Sequence, residues 1–193
     1  ALEVGVYDGP GGTSGDSGMS FVEARTHFGA WCVTSSPLIL AFDMTNATAV
    51  NFSWPIVTNK QAIAINQAWY GASGNQFSQA SATVTLSTQR PAGVARSEKY
   101  GGVAQPDNLS VAQWTQWAKP LNATSVAVFV MNNDVVPHTI PVNFTAVPGL
   151  SYSAGGQVLV HDVWAQADIG TFTTSWTANL VSHDSAFITL TTL

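Results

Sequence analysis

The spacing of hydrophobic residues changes partway along this chain. Between residues 20 and 35 they recur every three or four positions and would form one face of a helix. Ser20 and Glu23 make a capping box at its start, and Pro37 ends it. Residues 38–42 form an apolar run too short for a helix, which predicts a strand buried on both faces, as in a parallel sheet. A helix followed directly by such a strand is typical of α/β architecture.

The pattern is different after Tyr70. Residues 71–75 are a predicted loop, and short apolar runs separated by turn residues continue to the end of the chain. The predicted strands cover residues 82–87, 111–117, 125–131, 139–145, 157–164, 172–178 and 186–193. A series of this kind without a helical period predicts an antiparallel β-sandwich. We therefore expect an α/β part over residues 1–76 and an all-β part over residues 77–193.

Composition narrows the function classes. Hydrophobic residues make up 46% of the 193 residues, which is ample for a packed core. Charged residues make up only 9%, against about a quarter in an average soluble domain. The net charge of −5 provides no basic surface and argues against a nucleic-acid partner. No apolar run approaches the roughly 20 residues that span a bilayer, so no membrane span is predicted.

Five Asn-x-Ser/Thr sequons lie along the chain, none with proline in the middle. They begin at Asn46, Asn51, Asn108, Asn122 and Asn143. On a charge-poor chain, this density predicts a glycosylated protein that is secreted or resides in the lumen of the secretory pathway.

The sequence positions of the cysteine, the histidines and a Gly-Asp-Ser-Gly segment do not indicate a catalytic or metal-binding site. Cys32 is the only cysteine, so it is either a buried helical thiol or the partner of a residue outside this chain. The histidines lack the short spacing of a zinc site, and no metal site is predicted; they are His27, His138, His161 and His183. The segment 15–18, Gly-Asp-Ser-Gly, is similar to a serine-protease motif, but no histidine precedes it.

The seven tryptophans are scattered, and most are predicted to pack in cores rather than to form a sugar-binding platform. Trp69 and Tyr70 stand at the expected boundary and are predicted to fill the junction between the two parts.

Many landmarks in one order resemble glycoside hydrolase family 27, which contains α-galactosidases and α-N-acetylgalactosaminidases. In the first part these are Leu2-Glu3-Val4-Gly5, Gly18-Met19, Arg25-Thr26-His27-Phe28-Gly29-Ala30-Trp31, the run from Pro37 to Asp43, and Ile63-Ala64-Ile65-Asn66-Gln67. In the second they are Trp117-Ala118-Lys119-Pro120-Leu121, the run from Val126 to Asn132, Val163-Trp164, and Asp168-Ile169-Gly170-Thr171-Phe172.

The resemblance implies that residues 1–76 are the last βα units of a TIM (β/α)8 barrel and that the rest is its C-terminal sandwich. The parent would be a secreted, retaining α-galactosidase-like enzyme acting on galactosides without a cofactor. Its catalytic aspartates would lie on earlier strands, outside this chain, and the missing N-terminal barrel portion would be an obligatory partner. Ala1, Leu2 and Asp43 would help to shape the floor of the substrate site.

The carboxylates in this chain agree with that expectation. A retaining glycosidase needs two of them about 5 Å apart. In the first part, Glu23 is explained by the helix cap, Asp8 and Asp16 lie in a glycine-rich loop, and only Glu3 and Asp43 lie near predicted strand ends. Neither has a partner carboxylate, so no catalytic residue is predicted here. The alternative is a non-catalytic extracellular glycoprotein, structural or carbohydrate-binding, that kept the fold.

Overall fold

The computed structural model describes Leu2, Val4, Gly5 and residues 18–87 and 108–193. In these residues three α-helices come first, and ten strands follow, with a short 3-10 helix (Phe144–Ala146) after the sixth strand. The helices are α1 (Phe21–Val33), α2 (Ala47–Val57) and α3 (Lys60–Gln67). The strands are β1 (Asn75–Gln79), β2 (Thr83–Ser87), β3 (Asn108–Ala112), β4 (Trp114–Pro120), β5 (Ser125–Asn132), β6 (His138–Asn143), β7 (Val158–Asp162), β8 (Ala167–Phe172), β9 (Ser175–Leu180) and β10 (Ser185–Thr192).

Each helix begins at a side chain that caps its free backbone N–H groups. The predicted capping box is present in α1: Glu23 Oε2 accepts from the Ser20 N–H at 2.8 Å, and Ser20 Oγ accepts from the Glu23 N–H. Hydrogen bonds from the Ser20 hydroxyl and the Ser20 backbone N–H to the Glu23 carboxylate lower the pKa of Glu23. Asn46 and Asn59 cap α2 and α3 in the same way, each accepting two backbone N–H groups.

The predicted strand at residues 38–42 is reduced to a single parallel bridge between Leu2 and Leu40. The prediction of burial on both faces is wrong for this structure. Ile39 is 62% exposed and Leu40 is 37% exposed, whereas Phe42 is buried. A strand in a parallel sheet is covered on both faces only when neighbouring strands and helices are present. Among the described residues, the bridge partner of this segment is Leu2 alone.

The strands after Tyr70 form the predicted antiparallel fold. Six of them make one sheet in the order β1-β4-β5-β10-β7-β8, and β6-β9 and β2-β3 form two-stranded sheets. Two predicted strands each include parts of two strands of the structure. The run 111–117 is divided at Gln113 between β3 and β4, and the run 172–178 covers the turn between β8 and β9. Strands β1 and β8 were not predicted.

The six-stranded sheet is the middle of three layers. Along β5, Val126, Val128 and Val130 face a core shared with β6 and β9, whereas Ala127 and Phe129 face a core shared with the helices. This alternation explains why β5 is apolar from Val126 to Met131, since both of its faces are buried. On the helical side, Phe28 and Cys32 of α1 pack in the same cluster as Phe129.

Candidate functional site

The edge formed by Leu2 and residues 39–43 holds the described site residues that the sequence predicts. The Leu2 N–H donates to the Ile39 carbonyl at 2.7 Å, and the Ala41 N–H donates to the Leu2 carbonyl at 3.2 Å. The side chain of Leu2 is fully buried in the helical core, which fixes this edge against α1. Ala1 lies outside the described residues. The contribution of Ala1 and Leu2 to a substrate site stays a prediction.

Asp43 lies at the carboxyl end of this edge and is exposed. Its Oδ1 accepts from the Thr45 N–H at 2.8 Å and from Thr45 Oγ1 at 2.7 Å, and these hydrogen bonds lower its pKa. The Asp43 carbonyl also accepts from the Asn46 N–H, so the residue closes the turn that leads into α2. The carboxylate is thus held ionised, as a turn former and a solvent-facing acceptor.

The described part of the chain does not assemble the paired carboxylates of glycoside hydrolysis around Asp43. Glu23 is engaged in the α1 cap, and Glu3, Asp8 and Asp16 lie outside the described residues. Within the described residues, no group of three or more His, Cys, Asp or Glu side chains could hold a metal ion. The described helices include none long and apolar enough to cross a membrane.

Polar contacts join α3 and its cap to the six-stranded sheet and the turn after β7. Asn59 Nδ2 donates to the Val163 carbonyl at 2.8 Å while its Oδ1 caps α3. Lys119 Nζ of β4 donates to the carbonyls of Ile65 and Asn66, at 3.0 Å to the latter. His161 Nε2 lies 2.9 Å from Gln61 Oε1. Sequence reasoning missed these contacts, because each joins residues more than fifty positions apart.

The junction aromatic residues differ from the prediction. Trp69 is 71% exposed and Tyr70 is 50% exposed, so neither fills the junction in this structure. Trp117 and Trp164 pack against the core beneath the helices instead. Both lie on or beside strands of the six-stranded sheet, whereas Trp69 and Tyr70 follow the end of α3 and are exposed.

Two of the histidines lie beside aspartate side chains, and the cysteine is buried. His138 Nε2 lies 3.0 Å from Asp134 Oδ2, and His161 Nδ1 lies 2.6 Å from Asp168 Oδ1. Cys32 is a free, buried thiol on α1, as one of the two sequence interpretations predicts.

All five sequon asparagines are exposed. Asn122 forms an Asx turn in which Oδ1 accepts from the N–H groups of Thr124 and Ser125. The sequon at Asn51 is different, since its third residue, Ser53, is fully buried and donates to the Ala49 carbonyl. Attachment of glycans at Asn46, Asn51, Asn108, Asn122 and Asn143 stays a prediction.

Comparison with known proteins agrees with this architecture. Residues 112–190 match the family described as the alpha galactosidase C-terminal beta sandwich domain. Alpha-galactosidase 3 of Arabidopsis thaliana is 28% identical over 193 residues, which cover 96% of this chain and 37% of the relative. The alpha-galactosidase of Coffea arabica is 28% identical over 177 residues, which cover 92% of this chain and 37% of the relative.

Solved structures show the same fold. Alpha-galactosidase I of Mortierella vinacea superposes with a TM-score of 0.66 at 21% identity, covering 92% of this chain and 37% of that one. The enzyme from Saccharomyces cerevisiae, solved with raffinose, gives a TM-score of 0.67 at 16% identity and covers 100% and 46%. The resemblance to glycoside hydrolase family 27 is therefore confirmed. The chain corresponds to the C-terminal part of these proteins and spans 37% of the two plant relatives.

Proposed function

We propose that this chain is the C-terminal part of a secreted α-galactosidase-like glycoside hydrolase. The observation that carries the proposal is the extent of the similarity. The plant α-galactosidases match over 92% and 96% of the chain, so the similarity includes the helical part as well as the sandwich. The substrate of the whole protein would be a terminal α-galactoside.

The helical part, within residues 1–76, would be the end of the catalytic barrel, and residues 77–193 would be the sandwich domain. Leu2 and Leu40 pair in parallel, and α1 lies between them in the chain, which is the order of the strand–helix–strand unit that a (β/α)8 barrel repeats. Exposure of Ile39 and Leu40 supports the same proposal, because an adjoining barrel strand and the barrel interior would cover them.

In this proposal the chain helps to shape the substrate site and does not supply the catalytic carboxylates. Retaining hydrolysis needs a nucleophilic carboxylate and a second carboxyl that acts first as acid and then as base. Both would lie on the N-terminal barrel portion, the obligatory partner of this chain. The carboxyl ends of barrel strands form the mouth of the active site, so Asp43 would lie at that mouth and Leu2 beneath it.

Location in the secretory pathway, or outside the cell, is supported by the low charge and by five exposed sequon asparagines. Removal of N-glycans by an endoglycosidase should lower the mass of the protein isolated from its own cells. An unchanged mass would contradict this part of the proposal.

Hydrolysis of a chromogenic α-galactoside by the intact protein tests the enzymatic proposal. We expect turnover, and we expect proton NMR to detect the α-anomer of galactose as the first product, because double displacement retains the configuration. Initial release of the β-anomer would overturn the retaining mechanism. Absence of turnover, with a folded protein and an intact barrel, would favour the non-catalytic glycoprotein instead.

A further inference from the structure

A cavity of about 380 Å³ opens where α1 meets the turn after β7 and the strands β9 and β10. The residues in its wall include Arg25, Asp162, Trp164, Trp176 and Asp184. The sequence separates the two tryptophans, and the fold brings them into one wall. Concave surfaces of this size, with aromatic walls and a few polar groups, are typical of small-molecule sites.

The face of the Trp164 ring that could attract a cationic ligand is already occupied by the side chain of Arg25. The guanidinium carbon of Arg25 lies 5.7 Å from the centre of the Trp164 ring, and Arg25 Nη2 donates to Asp184 Oδ1 at 2.7 Å. Arg25 Nε and Trp164 Nε1 are covered and have no acceptor among the described residues. Trp176, which is half-buried, remains as the aromatic surface that a ligand can contact.

A polar atom for a hydrogen bond remains in the same wall. Asp162 Oδ1 accepts from the N–H groups of Trp164 and Ala165. Asp162 Oδ2 has no partner in the described parts of the chain, so one acceptor is available. Two carboxylates against one guanidinium disfavour an anionic ligand.

We propose that this cavity binds a neutral pyranoside. The indole of Trp176 would pack against the apolar face of the sugar ring, and Asp162 Oδ2 would accept a hydrogen bond from one of its hydroxyl groups. The proposal does not depend on whether the parent protein hydrolyses galactosides. The same chemistry would accept either a galactoside of the substrate type or the mannose and N-acetylglucosamine of an N-linked glycan.

Isothermal titration calorimetry on the intact protein tests the proposal with methyl α-D-galactopyranoside, methyl α-D-mannopyranoside and N,N′-diacetylchitobiose. We expect at least one of them to bind with an affinity that Trp176→Ala reduces about tenfold or more, since the stacking surface is lost. Trp176→Phe should retain part of the affinity. Trp54→Ala removes an equally large, 50% exposed side chain outside the cavity and should leave binding unchanged.

If Trp176→Ala weakens the binding of the galactoside, the ligand is of the substrate type. If it weakens the binding of the mannoside or of chitobiose, the ligand is a glycan. Because Trp176 also packs against the sandwich core, Asp162→Asn provides a second test. It keeps an oxygen for the N–H groups of Trp164 and Ala165 but removes the free acceptor, so it should weaken the same binding. The proposal is overturned if no sugar binds, or if binding is unaffected by both cavity substitutions. Loss of galactoside hydrolysis with cavity binding intact would count only against the proposed enzymatic function.

Discussion

Lys119 Nζ donates a hydrogen bond to the backbone carbonyl of Asn66 at 3.0 Å, and a second one to the carbonyl of Ile65. These carbonyls belong to the last turn of α3, where no N–H four residues further on is available to them. The ammonium group therefore caps the helix from a strand of the neighbouring sheet, at the favourable negative end of the helix dipole. Lys119 is fully buried, and burial lowers its pKa.

Replacing Lys119 with methionine should destabilise the protein. Methionine fills a similar volume but leaves two buried carbonyls without a donor, which costs about 1–3 kcal/mol. Urea denaturation followed by tryptophan fluorescence measures the effect. Lys60→Met, at an exposed position on the same helix, is the matched control and should change the free energy of unfolding by less than about 0.5 kcal/mol. Equal stability of the two variants would show that the cap is unimportant.

Gly29 allows α1 to lie close to the main sheet. A Cβ added at this position would lie 2.4 Å from Phe129 Cε2 and 2.9 Å from Trp164 Cζ2. Alanine improves helix propensity by about 1 kcal/mol, but overpacking costs about 1–3 kcal/mol. Because the contact with the Phe129 ring is so short, we expect Gly29→Ala to lower the free energy of unfolding overall.

A double-mutant cycle separates the clash from other effects of the Gly29 substitution. Phe129→Leu makes room at the ring position, so Gly29→Ala should be less harmful in that background than in the native protein. Thermal and urea unfolding of the four proteins provide the coupling energy. Strict additivity would contradict the close approach of α1 to β5.

Asp134 should make stability depend on pH in the acidic range. Its hydrogen bond with His138 lowers its pKa, with further contributions from the N–H groups of Val135 and Val136. The folded protein thus binds the proton less tightly than the unfolded chain does. The stabilisation is present above the ordinary aspartate pKa of about 4 and is lost as the pH falls through the lowered value.

Asp134→Asn should therefore lower the urea midpoint at pH 7 and flatten its decline between neutral and acidic pH. The matched control is Asp168→Asn, which alters another aspartate paired with a histidine but at a 60% exposed side chain, where ion pairs contribute little. If Asp134→Asn kept the native dependence of the urea midpoint on pH, Asp134 would be excluded as the source of that dependence.

The sequence identified α1 and most sandwich strands because their signals are local. A capping box, a three-to-four-residue period and short apolar runs each lie within a single element. Strand β1 was missed because Phe77 is its only apolar residue, and pairing with β4 defines it instead. Lys119 was noted only as part of a family landmark, since its partners lie 53 and 54 positions away. The cavity between Trp164 and Trp176 depends in the same way on strand order, which local patterns do not encode.

Cys32 should be unreactive in the folded protein. It is fully buried on α1, and burial raises the pKa of its thiol to about 12, so the nucleophilic thiolate is scarce at neutral pH. We expect an aromatic disulfide reagent at pH 8 to label the native protein slowly and the denatured protein rapidly, with one thiol per chain. Fast native labelling would contradict burial. Absence of a thiol after denaturation without reductant would instead indicate the alternative left open by the sequence, a disulfide to a cysteine outside this chain.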